Sequence, residues 1–213
     1  MKRTALLACL LAIIMTSFTS NNSTSWEKAY EHESTKIYTR STESGIKEFK
    51  AITIVDANIK SVLAVMRDYK AHPNWMRAIN SCDMVKQETS RTRYLYYTID
   101  MPWPLWNRDL VSKSTFYPKP DKSVLMKMEA APTKKPESDS HVRMKSAKGY
   151  WLVTPISDKK TEIVYQYKAD PNGISAVLVN MFLLEAPKAT FVGLKEQVKL
   201  AKYQNPDLSW LYD

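Results

Sequence analysis

The sequence predicts an α+β fold in which a curved antiparallel β-sheet wraps around a long C-terminal α-helix. Three observations predict it. Six β-rich segments follow one another between residues 81 and 169, separated by turn-like residues. An amphipathic helical segment directly precedes them, and a long amphipathic one follows. The 213 residues are 44% hydrophobic and 25% charged, with no repeat and no second-domain boundary, which suits one domain with its own core.

Residues 1–19 read as a signal peptide. Lys2 and Arg3 form a basic start, residues 5–15 are unbroken apolar, and Ser17, Phe18 and Thr19 form a cleavage pattern. A membrane span needs about 20 apolar residues. Leu6-Leu7-Ala8-Cys9 looks like a lipidation signal. Apolar residues follow Cys9 where a polar tether belongs, so Cys9 reads as part of the apolar run and not as an anchor. Residues 20–25 are a polar lead-in. No later segment reads as long and apolar enough to span, so the mature chain is expected to be soluble and exported. Only Cys82 then remains, and no internal disulfide can form. Loss of Lys2 and Arg3 takes the net charge from +9 to +7, which points to anionic membrane surfaces before nucleic acid in that compartment.

Residues 26–33 read as a short helix. Residues 36–40 and 49–55 read as strands, with a turn at Glu43, Ser44 and Gly45. Asp56 is placed to cap a helix whose apolar residues Ile59, Val62, Leu63, Val65, Met66 and Tyr69 recur at helical spacing, and Pro73 ends it. Strands follow at 81–87, 93–100, 109–117, 123–130, 142–153 and 161–169. Residues 170–173 close the run. Residues 174–185 are apolar and helical, and Pro187 kinks or restarts the helix. Residues 188–203 carry Phe191, Leu194 and Val198 on one stripe, and residues 204–213 are left as a tail.

Alternation along the strands points to a cavity. Lys127 and Glu129 must face water, which turns Val124, Met126, Met128 and Ala130 inward. If Arg143 and Lys145 face out, Val142, Met144 and Ser146 face in. Glu162, Gln166 and Lys168 facing out leaves Ile163, Tyr165 and Tyr167 facing in. Arg108, Leu110, Ser112 and Ser114 are counted with this set, as are Phe182 and Phe191 of the C-terminal helices. Two readings stay open: a plain core under a helix, or the wall of an internal hydrophobic tunnel for a ligand. Arg108 and Asp109 likewise read either as a headgroup contact or as an ion pair at the sheet end.

Turns of an antiparallel meander alternate between its two ends. The 102–107, 132–140 and 170–173 connections therefore share one end. That end carries Trp103, Leu105 and Trp106, then Lys134 and Lys135, then Val177, Met181 and Phe182. Apolar tips beside basic residues suit a membrane-facing mouth. The other reading folds the tryptophans back into the core.

Familiar enzyme signatures are missing. His32, His72 and His141 form no HxxxH pair, and no CxxC, GxSxG, P-loop or dinucleotide fingerprint occurs, so neither metal nor cofactor is expected. Cys82 reads as a small buried residue. Tyr165 and Tyr167 are the only acid candidates among the inward positions assigned.

Pro104-Leu105-Trp106-Asn107-Arg108-Asp109-Leu110-Val111 resembles the "P…RDFV" signature of START (StAR-related lipid transfer) domains. Asp68-Tyr69-Lys70-Ala71-His72-Pro73-Asn74-Trp75 is similar to a helix end of the same family. Residues 149–155 with 161–165 resemble its penultimate hairpin. Asp170-Pro171-Asn172-Gly173-Ile174 with Val179-Asn180 resembles the approach to its last helices. The likeness covers about residues 26–203. It implies a helix-grip fold with a tunnel for one lipid, and a lid made of the 132–140 loop and the last helix. Sterol-handling members often carry a cavity arginine six residues after the signature arginine. Here that position is Ser114, so sterol binding gains no support.

The expectation is therefore an exported, bacterial, periplasmic and monomeric protein. It would bind one lipid or other hydrophobic molecule, touch membranes transiently, need no cofactor or nucleic acid, and catalyse nothing. A polyketide cyclase or aromatase on the same broader fold is the alternative.

Overall fold

The computed structural model describes residues 25–212. The expected leader, its cleavage site and Cys9 lie outside the described residues. Among those described, ten strands form one sheet: β1 (Glu27–His32), β2 (Thr35–Arg40), β3 (Glu48–Val55), β4 (Ile79–Gln87), β5 (Thr92–Ile99), β6 (Arg108–Pro118), β7 (Val124–Ala130), β8 (Val142–Arg143), β9 (Ser146–Ser157) and β10 (Lys160–Asp170). The order is β1-β2-β3-β10-β9-β7-β6-β5-β4, and β8 pairs in parallel with β6. The long strands form the expected antiparallel meander. Its last strand, β10, also pairs with β3, so the N-terminal hairpin extends the sheet.

The helices are α1 (Ile59–Arg67), α2 (Ala176–Met181) and α3 (Glu185–Gln197). α1 buries Val62, Leu63, Val65 and Met66, as its spacing predicts. Its cap is Asn58 and not Asp56: the Asn58 amide oxygen accepts from the Ser61 N–H at 2.9 Å. Asp56 instead pairs with Lys160. α3 seals Phe191, Leu194 and Val198 against the sheet. It crosses the chain at Trp75 so closely that a Cβ on Gly193 would lie 2.6 Å from the Trp75 carbonyl oxygen.

Three expectations fail for nonlocal reasons. Residues 26–33 form the edge strand β1, because pairing with β2 satisfies backbone groups that a short isolated helix would leave bare. The strand expected over 142–153 breaks at Met144 and Lys145 into β8 and β9. A break shifts side-chain parity. Ser146 is consequently exposed, and Ala147, Trp151 and Val153 are buried in the core, while Arg143, on the outer side with Asp109, is buried by the segment from Pro132 to Pro136. The C-terminal helix ends at Gln197 and a 3₁₀ turn at Ala201–Tyr203 follows, so it does not run to residue 203.

Residues 176–197 are, by length and composition, long and apolar enough to cross a membrane, contrary to the expectation that no later segment is. The turn at residues 182–184 interrupts them, and α2 buries no residue fully. The residues after 203 pack as well. Leu211 is sealed, and Trp210 lies edge-on to Phe116 with the Arg67 guanidinium 3.9 Å above its ring.

Candidate functional site

The inner face of the sheet divides into two halves. At the base, Phe116, Val124, Met126, Trp151, Val153, Ile163 and Tyr165 form a sealed cluster with α1 and α3. Its centre is aromatic: Tyr165 stacks on Trp151 with centroids 3.9 Å apart, and Phe49 meets Tyr165 edge-on at 5.0 Å. Gly149 makes room for Tyr167, because a Cβ there would sit 2.6 Å from the Tyr167 ring.

Toward the mouth, a second cluster forms around Cys82, Leu95, Tyr97, Leu110, Met144 and Ala147. Ile79, Ile99, Ala130, Tyr167 and Ala169 pack against it but are only half-buried. Apolar side chains on the concave face are thus closed over at the base and open toward the mouth. Of the predicted cavity residues, Leu110, Ser112, Ser114, Met126, Met128, Met144, Ile163, Tyr165, Tyr167 and Phe191 are buried or half-buried between sheet and helix. Val142 is half-buried beside Arg108 in the β6–β8 pair.

Two predicted cavity residues lie elsewhere. Phe182 is about half exposed, because α2 stops at Met181 and the chain turns there toward α3. Arg108 is buried, but its guanidinium donates to the carbonyls of Trp106, Pro171 (2.7 Å) and Asn172 (2.9 Å). It ties two loops together. The ion pair at this end joins Asp109 to Arg143 instead, with both side chains out of solvent. Arg143 also donates to the carbonyls of Pro132, Lys135 and Pro136. Burial alone would raise the Asp109 pKa, yet hydrogen bonds from Arg143 and Tyr96 outweigh it and hold the carboxyl below its usual range.

These arginines bring together the three loops that strand parity assigned to one end. There Trp103 is 92% exposed and Trp106 is 67% exposed, while Val177 and Met181 project from α2. Leu105 is half-buried. Lys134 and Lys135 lie over the Tyr94 and Tyr96 rings, along the outside of β5. α2 hangs from the β2–β3 turn by one side chain. Asn180 accepts from the Lys47 N–H at 2.8 Å and donates to the Gly45 carbonyl at 2.9 Å. Gly45 adopts φ of 76°, which suits glycine.

Sequence reasoning missed a buried polar group behind the second cluster. His72 Nε2 lies 3.1 Å from the Met66 carbonyl, which can only accept, so Nε2 carries the proton. Nδ1 then accepts from the Tyr97 hydroxyl at 3.1 Å. Burial lowers the His72 pKa to about 4 and pushes the Cys82 thiol up to about 12. Arg93 donates to the Met66 and Arg67 carbonyls at the C-terminal end of α1, which suits a cation. The Asp68-to-Trp75 motif was the available signal, since it carries His72. Among the described residues no three His, Cys, Asp or Glu side chains converge as metal ligands. A depression of about 590 Å³ lies at the opposite end, lined by Lys60, Lys122 and Asp158 among others. It is separate from the apolar concave face.

The START domain family matches this chain over residues 11–192. An uncharacterized protein of Pseudomonas aeruginosa is 31% identical over 172 residues, covering 80% of this chain and 85% of the relative. The crystal structure of a STAR-related lipid transfer protein fragment from Xanthomonas axonopodis is similar, with a TM-score of 0.77 and 30% identity over 82% of this chain and 99% of that one. Human StAR-related lipid transfer protein 5 shares the fold, with a TM-score of 0.72 and 15% identity over 84% and 88% of the two chains. The sheet, the gripped helix and these matches agree: the chain belongs to the START domain family, whose fold suggests binding of a lipid or other hydrophobic ligand.

Proposed function

We propose that this protein binds one lipid or similar hydrophobic molecule against its concave sheet face and carries it between membranes as a monomer of the bacterial periplasm. The carrying observation is the division of that face: sealed at the base, half-buried and apolar from Met128 and Tyr167 to Ile99 and Ala169. Burying a chain there would contribute about 25 cal/mol per Å² before association costs. The arrangement supports exchange at a membrane surface, because Trp103, Trp106, Val177 and Met181 are exposed at the end where the lid lies. Tryptophan favours the interface, where its ring is half apolar and half polar.

The reading is of a carrier and not an enzyme. A cyclase needs a base as well as an acid on the concave face, whereas both nitrogens of His72 are engaged and burial holds the Tyr165 and Tyr167 hydroxyls protonated. Mass spectrometry of lipid extracted from the purified protein, with a vesicle-to-vesicle transfer assay, tests the proposal. One bound lipid per chain and accelerated transfer are expected. A chain that never takes up lipid refutes it.

A further inference from the structure

Two tyrosine hydroxyls on the concave face have no protein partner among the described residues. Tyr165 and Tyr167 lie two residues apart on β10, with ring centroids 5.9 Å apart. Tyr165 is 7% exposed and Tyr167 is half-buried. Neither hydroxyl has a hydrogen-bond partner among the described residues, and neither oxygen is sealed against water. Three other tyrosine hydroxyls of the sheet are engaged: Tyr97 with His72, Tyr96 with Asp109, and Tyr150 with Gln166. A pair of half-enclosed hydroxyls with no protein partner is a place where another molecule's polar atom can take over from water.

The electrostatics of the same face limit what that atom can be. Among the described residues no charged group is felt at either phenol: burial, with Tyr167 beside Tyr165, accounts for both environments. Tyr165 and Tyr167 stay protonated, because burial raises both above the usual phenol range. A carboxylate or phosphate brought here would lose its hydration and gain only hydroxyl donors, whereas a hydroxyl or carbonyl oxygen would be satisfied by them. Resting on the lipid-binding reading, we infer that the ligand is a neutral amphiphile whose uncharged oxygen headgroup is held by the hydroxyls of Tyr165 and Tyr167. Its apolar body then extends along the half-buried residues toward the mouth.

The test measures binding of dodecan-1-ol, dodecane and dodecanoate at pH 8 to the purified chain stripped of lipid, by titration calorimetry. Tyr165→Phe with Tyr167→Phe keeps both rings and removes only the hydroxyls, and a thermal melt checks that the variant is folded. Tyr150→Phe serves as a control on the outer face. The parent is expected to bind the alcohol at least about tenfold more tightly than the carboxylate. The double variant is expected to lose about tenfold in alcohol affinity and to keep its alkane affinity within about twofold. Equal loss for alcohol and alkane, or no loss, overturns the tyrosine contact. Carboxylate binding as tight as alcohol binding overturns the neutral headgroup. If the parent binds neither alcohol nor alkane, the lipid-binding reading itself fails, and this inference with it.

Discussion

Asp109 and Arg143 meet through two parallel hydrogen bonds of 2.8 and 2.9 Å with neither side chain exposed to solvent. The pair joins β6 to β8, and the remaining Arg143 donors hold the carbonyls of Pro132, Lys135 and Pro136. Removing one partner leaves a buried charge without compensation. Arg143→Ala should cost about 3–5 kcal/mol in urea unfolding and make the 132–140 loop an early site of limited proteolysis. Unchanged stability with an equally protected loop would contradict this role.

His72 should make stability depend on pH in a particular window. Its folded pKa of about 4 lies below the ordinary 6.5, so below pH 6.5 the unfolded chain takes up a proton that the folded chain refuses. Stability is then full above pH 6.5 and falls as pH drops toward 4, with a slope reaching about 1.4 kcal/mol per pH unit. Asp68 and Asp109, both held below their usual range, add their losses at lower pH. His72→Gln should be less stable than the parent at pH 7 but show a flatter profile between pH 6.5 and 4. Parallel profiles would assign the slope to other groups.

The two bonds from Asn180 to Gly45 and Lys47 form a small latch on α2. Neutral hydrogen bonds contribute about 1 kcal/mol each, enough to bias a lid without deciding the fold. Asn180→Ala should speed hydrogen exchange across Ala176–Met181 and accelerate loading of a fluorescent lipid several-fold, while the global melting midpoint moves little. Loading at the parent rate would place the opening elsewhere.

Membrane contact should separate into two contributions. Trp103→Ala with Trp106→Ala should weaken binding to anionic vesicles at any salt concentration, since insertion of apolar surface is not screened. Lys134→Ala with Lys135→Ala should matter only at low salt, because charge attraction is screened within about 8 Å at physiological ionic strength. If both pairs bind vesicles like the parent while folded, another surface does the docking.

Much of this architecture was legible because it is written in local periods. The helical spacing of Val62, Leu63, Val65 and Met66 placed α1, and the two-residue alternation of β7 and β10 turned Met126, Met128, Tyr165 and Tyr167 inward. Strand counting also brought the 102–107, 132–140 and 170–173 loops to one end, since each antiparallel turn reverses the chain. What was hidden depends on partners distant in sequence. β1 is a strand only because β2 offers an edge, and β10 reaches back to β3 across more than a hundred residues.

The break at Met144 and Lys145 shows the limit most plainly. Alternation carried through it puts Trp151 on the outer face, whereas the tertiary structure brings Trp151 into the core against Tyr165; Arg143, taken to face water, is covered there by the segment from Pro132 to Pro136 and paired with Asp109. Sequence alone determined the sheet, the gripped helix and the end at which the 102–107, 132–140 and 170–173 loops gather. Tertiary structure decided which arginine pairs with Asp109, where α2 is latched, and which hydroxyls remain unpaired. The physical reason is that a local period specifies alternation, while register, breaks and hydrogen-bond partners are set by contacts between segments that the chain brings together only on folding.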